Sequence, residues 1–138
     1  MAAMPPPKEP KRQKSLQQLI DEVGIYPPDA YKFVQEGLGY TVQKVHGPQA
    51  KPDANRHVSG EQLCEGLREF ALNRWGMLAR TVLRRWNITC TLDFGRIVFA
   101  LIQIGHMQRT PDDSLDDFEN VYDFKTAFES GYRIKSPA

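Results

Sequence analysis

Apolar residues recur at spacings of three and four along most of the chain, the period of an amphipathic helix, and glycine and proline interrupt them at intervals. Leu16, Leu19, Ile20 and Val23 fall on one face of a first helix, which Ser15 and Gln18 can open as a capping box and Gly24 can close. After a stiff connector at residues 25–28, the positions of Ala30, Tyr31, Val34, Leu38, Thr41, Val42 and Val45 predict a second helix. It should start near Pro28 or Asp29, because proline suits a first turn, and stop at Gly47 and Pro48. A strand over Tyr40–Val45 competes for the end of this segment, but the helical phase runs unbroken through Gly37 and Gly39.

The stretch His57–Met107 carries the densest apolar patterning and both tryptophans. Ser59 and Gln62 form a second capping box, after which Leu63, Leu67, Phe70, Ala71 and Arg74 line one face. Gly76 marks a break. From Met77 to Trp86, Leu78, Val82, Leu83 and Trp86 point one way and Arg80, Arg84 and Arg85 the other. Asn87 suits the left-handed C′ position, and Thr91 is a good N-cap for a helix over Leu92–Ile104. That helix is apolar nearly all round, with Phe94, Ile97, Val98, Leu101 and Ile102 on one face and Phe99, Ala100 and Ile104 on the other. Such a helix is normally buried between layers, which makes it the expected centre of the core. Ser114 with Asp117, and then Asp123, can cap two short helices whose aromatics close the core like a lid. The expected fold is all-α: a compact single-domain bundle of about six helices over residues 15–130. A disordered basic, proline-rich arm at 1–14 and a short tail at 131–138 complete the expected organisation.

Composition changes this picture little, since 138 residues with 41% apolar and 25% charged side chains describe an ordinary globular domain. The net charge of +1 conceals a segregation. Residues 56–109 hold eight arginines against four acids, whereas residues 110–130 hold seven acids against Lys125 alone. Lys11, Arg12 and Lys14, with Arg80, Arg84 and Arg85, are candidate contacts for a partner or for phosphate. Asp112, Asp113, Asp116 and Asp117 are a candidate acidic interaction surface. There is no apolar leader and no run long enough to span a bilayer, so the expectation is a cytoplasmic protein, away from the membrane, with Cys64 and Cys90 both reduced.

Catalytic and cofactor signatures are missing. No C-x-x-C or H-x-x-x-H pair supplies metal-ligand spacing, and no phosphate-binding glycine loop is present. A Cys–His inventory exists in Cys64, Cys90, His57 and His106, but both cysteines lie beside apolar positions. The acids of residues 112–119 read as a solvated face rather than a proton-transfer pair. No cofactor is expected. The order helix 77–86, short turn, helix 91–104 is similar to a helix-turn-helix, and residues 77–124 could be arranged as a winged helix. Against that, the second helix offers only Arg96 and Gln103 as polar groups in its middle, and four aspartates would repel phosphate from the wing.

The strings PPDAYKFVQEGLGYT, RHVSGEQLCEGLREFALNRWGMLARTVLRRWNI, TLDFGRIVFALIQIG and DSLDDFENVYDF together resemble a family of short bacterial proteins of planctomycete and verrucomicrobial type. The resemblance covers about residues 15–130, with HVSG and DFG-x-IVF its most distinctive parts. It implies a bacterial, cytoplasmic, single-domain protein and carries over no activity, ligand or functional residue. The DFG at Asp93–Gly95 is unrelated to the kinase motif, because no other kinase signature accompanies it. The expected function is a non-enzymatic protein-interaction or adaptor domain, whose partner is another protein. A nucleic-acid-associated protein of winged-helix type is the alternative, and a metal-dependent or hydrolytic enzyme the third reading.

Overall fold

The computed structural model describes residues 2–3, 24–47, 57–108 and 113–128. Among these, four α-helices dominate: α1 (Pro28–His46), α2 (Gly60–Trp75), α3 (Ala79–Arg85) and α4 (Thr91–Gln103). A 3₁₀ turn, Gly76–Leu78, joins α2 to α3, a second covers Leu115–Phe118, and 124–128 are helical. The all-α reading holds, and the competing strand over residues 40–45 is helix. The first expected helix lies outside the described residues.

Local signals set most boundaries. Pro28 opens α1, and Gly47 closes it at a φ of 85°, donating its N–H to the Gln43 carbonyl. At the start of α2, Ser59 Oγ accepts from the Gln62 N–H at 3.0 Å while Gln62 Oε1 accepts from the Ser59 N–H at 2.9 Å. Asn87, at φ 65°, ends α3, and the Ile88 N–H reaches back to the Leu83 carbonyl at 2.9 Å. Gly105, at φ 82°, closes α4 in the same manner through His106 and Leu101. Each closure satisfies carbonyls that a helix end leaves without partners.

One boundary differs from expectation. Thr91 is the first helical residue of α4 rather than its N-cap. Its hydroxyl donates to the Phe118 carbonyl at 2.6 Å and accepts from the Val121 N–H at 3.1 Å, fixing the following acidic segment against α4. Capping falls to Asp93, whose Oδ2 accepts from the N–H groups of Thr89 at 2.9 Å and Cys90 at 3.3 Å. Asp93 Oδ1 also accepts from the Tyr26 hydroxyl at 2.5 Å, which ties the lead-in to α1 onto the start of α4. Burial raises the Tyr26 phenol above its ordinary range, and this hydrogen bond adds to the rise. The DFG string is therefore structural: Asp93 caps, Phe94 is buried, and Gly95 leaves room for the Phe118 ring, which would lie 2.7 Å from an added Cβ.

The α1–α2 pair forms the largest helix interface. It depends on close backbone approach, since a Cβ on Gly66 would sit 1.8 Å from Thr41 Oγ1 and one on Gly37 would sit 2.2 Å from Leu67 Cδ2. The core is centred as much on α1 as on α4. The Phe33 ring of α1 lies 5.5 Å from Phe70, 5.3 Å from Trp75, 5.9 Å from Trp86 and 6.4 Å from Phe94, centroid to centroid. Phe124 and Phe128 pack at 5.0 Å beside Tyr122, as the lid reading expects. The Tyr122 hydroxyl donates to the Cys64 carbonyl at 2.7 Å, and burial raises its phenol well above the usual range.

A two-residue antiparallel ladder, β1 (Ala2–Ala3) with β2 (Met107–Gln108), pairs Ala2 with Gln108 and Ala3 with Met107. These two alanines belong to the arm expected to be disordered, and they are paired instead. No hairpin of winged-helix form follows α4 among the described residues. No helix of the described residues is long and apolar enough to cross a membrane.

Candidate functional site

The charged surfaces separate on inspection of their geometry. Lys11, Arg12, Lys14 and Asp112 lie outside the described residues. Asp113 is 5% exposed and stands 3.5 Å from His57 Nε2, so it is no part of an acidic face. Its burial depends on a residue far away in sequence, which spacing cannot reveal. Asp116 and Asp117 are exposed, and Asp117 Oδ2 accepts from the Ser114 N–H at 2.9 Å, as the capping reading expects.

The three arginines of α3 also part company. Arg84 and Arg85 are exposed, whereas Arg80 is half-buried and its charge acts on Asp123. The Asp123 carboxyl is held below its ordinary value chiefly by the N–H and hydroxyl of Thr126, both at 3.1 Å, with Arg80 contributing. The charge of Arg80 is thus felt at the acidic end, while Arg84 and Arg85 are exposed to solvent.

Beside Arg84 and Arg85 the structure presents two exposed apolar residues, one of which, Leu78, the sequence pattern placed on the apolar face. Leu78 is 63% exposed and Met77 is 77% exposed, the two largest values among the exposed large apolar residues. Leu83, on the expected apolar face, is buried, and so is Ala79. Gly76, at φ 54°, ψ −127°, ends α2, and residues 76–78 form a 3₁₀ turn, so Leu78 precedes α3 instead of lying on its inner face. The Gly76 conformation suits only glycine, so the sequence signal was the glycine itself. From Met77, exposed Thr81, Arg84 and Arg85 follow at helical spacing and continue one surface.

Trp75 precedes the turn and Trp86 follows α3, and their ring centroids lie 5.5 Å apart and nearly perpendicular. Arg74, expected on the apolar face of α2, is exposed and reaches across to Glu36 at 2.8 Å, its guanidinium lying over Phe70 and Trp75. A cavity of 210 Å³ opens beside this knuckle, with Phe33, Trp75 and Trp86 below and Asp29, Lys32, Glu36 and Arg74 around it.

No group of three or more metal-ligating side chains gathers among the described residues. Cys64 is buried, and burial pushes its thiol far above the range in which a thiolate forms at neutral pH. Cys90 is exposed, with its Sγ 3.5 Å from Asp93 Oδ2, and neither cysteine has a hydrogen-bonded histidine. The chain matches no protein-family profile, no curated protein and no solved structure.

Proposed function

We propose that this chain is a protein-interaction module whose partner docks on the knuckle formed by Met77, Leu78, Arg84 and Arg85. The carrying observation is the exposure of Met77 and Leu78 on the turn between α2 and α3, two helices whose C-terminal tryptophans, Trp75 and Trp86, pack on each other. Methionine, tryptophan and arginine are enriched at interface centres, and a flexible thioether adapts to an apolar anchor. Two adjacent exposed guanidiniums favour a partner segment that carries carboxylates around that anchor. The proposal keeps the adaptor reading, its bacterial cytoplasmic setting and its lack of a chemical step.

The test compares affinity capture from a bacterial host by the full chain, by Met77→Glu with Leu78→Glu, and by Arg84→Glu with Arg85→Glu. A partner retained by the native chain and lost by both variants, at unchanged melting temperature, supports the knuckle. Identical capture by all three refutes it.

Exposure of Arg84 and Arg85 also favours, more weakly, a nucleic-acid contact. It stands against the placement of α4, where a reading helix would sit, with Phe94, Ile97, Val98 and Leu101 buried. Salt-steep binding to random duplex that Arg84→Ala with Arg85→Ala weakens would favour that reading over the first.

A further inference from the structure

The sequence makes α4 apolar nearly all round, yet the described structure covers only one of its faces completely. Phe94, Ile97, Val98 and Leu101 are fully buried, while Phe99 and Ala100 are half-buried. Over that second face lies a cavity of 340 Å³. Its α4 wall is made by Arg96, Phe99, Ala100 and Gln103, the i, i+3, i+4, i+7 positions of one helical stripe. Ile25 and Leu115, both apolar and both exposed, stand at its sides.

Two polar features distinguish this space from a packing defect. Tyr31, also on the lining, is fully buried, and its hydroxyl has no hydrogen-bond partner among the described residues. Buried hydroxyls are almost always paired, so this one stands out beside the cavity. Arg96 is half-exposed, holds Asp93 through one nitrogen at 3.4 Å and engages the Tyr26 hydroxyl, and the rest of its five N–H donors can receive an anion. Asp93 itself already accepts from Tyr26, Thr89 and Cys90, so it does not use up the guanidinium.

We infer that this cavity is a binding site for a small apolar monocarboxylate, with its alkyl or aryl body on Phe99 and Ala100 and its carboxylate on Arg96. The volume falls at the lower end of known small-molecule sites. A single charged group on an otherwise uncharged lining selects one anionic head rather than a polyanion. The site is separate from the Met77–Leu78 knuckle and stands or falls independently of it.

Calorimetric titration of the full chain with decanoate tests the inference, with decanol as the headless control. Saturable one-to-one binding of decanoate is expected. Decanol, and decanoate on Arg96→Gln, should bind about tenfold or more weakly, as expected for loss of a charge-assisted hydrogen bond. Ala100→Trp should fill the cavity and abolish binding at a retained melting temperature. Tyr31→Phe should weaken decanoate binding while raising the melting temperature of the ligand-free protein, since it removes an unpaired buried hydroxyl. Absence of saturable binding at millimolar decanoate, including through occupation of the cavity by the chain's own residues, overturns the proposal. So does binding that ignores both Arg96→Gln and Ala100→Trp, or that decanol equals; unchanged affinity in Tyr31→Phe removes Tyr31 from the site.

Discussion

Replacing Asp93 with asparagine should be among the most damaging isosteric changes in this protein. Asp93 is 5% exposed, and its carboxylate accepts from six donor atoms at 2.5–3.5 Å: the Tyr26 hydroxyl, the N–H groups of Thr89 and Cys90, the Thr89 hydroxyl, the Arg96 guanidinium and the Cys90 thiol. Asparagine keeps one acceptor oxygen and turns the other towards these donors as an NH₂ group. A hydrogen bond to a charged group contributes about 1.5–3 kcal/mol, and a lost N-terminal cap costs about 1 kcal/mol. The bonds at 3.3 Å and beyond are long and count for little. Weighting the short Tyr26 bond and the cap gives a loss of about 3–4 kcal/mol. In a domain of this size that lowers the melting temperature by about 10–15 °C. Urea unfolding of the single variants and of the double variant with Tyr26→Phe would measure the coupling directly. A loss below about 1 kcal/mol would refute the reasoning. So would additivity of the two substitutions within about 0.5 kcal/mol, because residues in direct hydrogen-bond contact should couple.

Phe94→Ala and Leu101→Ala should each cost about 2–5 kcal/mol, since both side chains are fully buried; an unchanged melting temperature would show that α4 is not part of the core. Gly66→Ala should cost about 1–3 kcal/mol by overpacking the α1–α2 crossing, read by denaturant midpoint, and Thr41→Ala should restore part of it. The phenols of Tyr26 and Tyr122 are raised above their ordinary value of 10.0, so the folded state favours their neutral forms. Their contribution is therefore complete below pH 10 and is lost as pH climbs from there through the folded values. Phenolate absorbance from these residues should develop only together with loss of helicity; reversible titration in the ordinary range with the fold intact would contradict it.

The parts of this fold that could be read from sequence are those decided within one helical turn. Ser59 with Gln62, Pro28, Gly47 and Asn87 act on backbone groups a few positions away, and the structure uses them as local chemistry dictates. The misreadings have long-range or phase-breaking causes. Leu78 was placed on the apolar face of a helix from Met77 to Trp86, but residues 76–78 form a 3₁₀ turn and α3 begins only at Ala79. Thr91 looked like a cap, but its hydroxyl is committed to Phe118 and Val121. Asp113 sat in an acidic run, and only the approach of His57 reveals that it is buried. For the candidate surface, Arg84 and Arg85 were legible as exposed arginines, whereas the apolar half of the knuckle was not. The all-round apolar pattern of α4 predicted burial between layers, and the cavity over its second face, beside the Tyr31 hydroxyl, emerges only once α1 is laid against α4.

The pairing of Trp75 with Trp86 has a practical consequence. Two indoles at 5.5 Å and nearly perpendicular are close enough for their excited states to couple, so the near-ultraviolet circular dichroism of this protein should carry an exciton signature from a single site. No other tryptophan in the chain dilutes it. The same rings end the two helices that the exposed turn joins and stack on Phe33, so the chain has an intrinsic optical reporter at the surface where its partner is proposed to bind. Docking there can be followed by emission and dichroism with no label attached, and the loss of the couplet would report the opening of the core behind it.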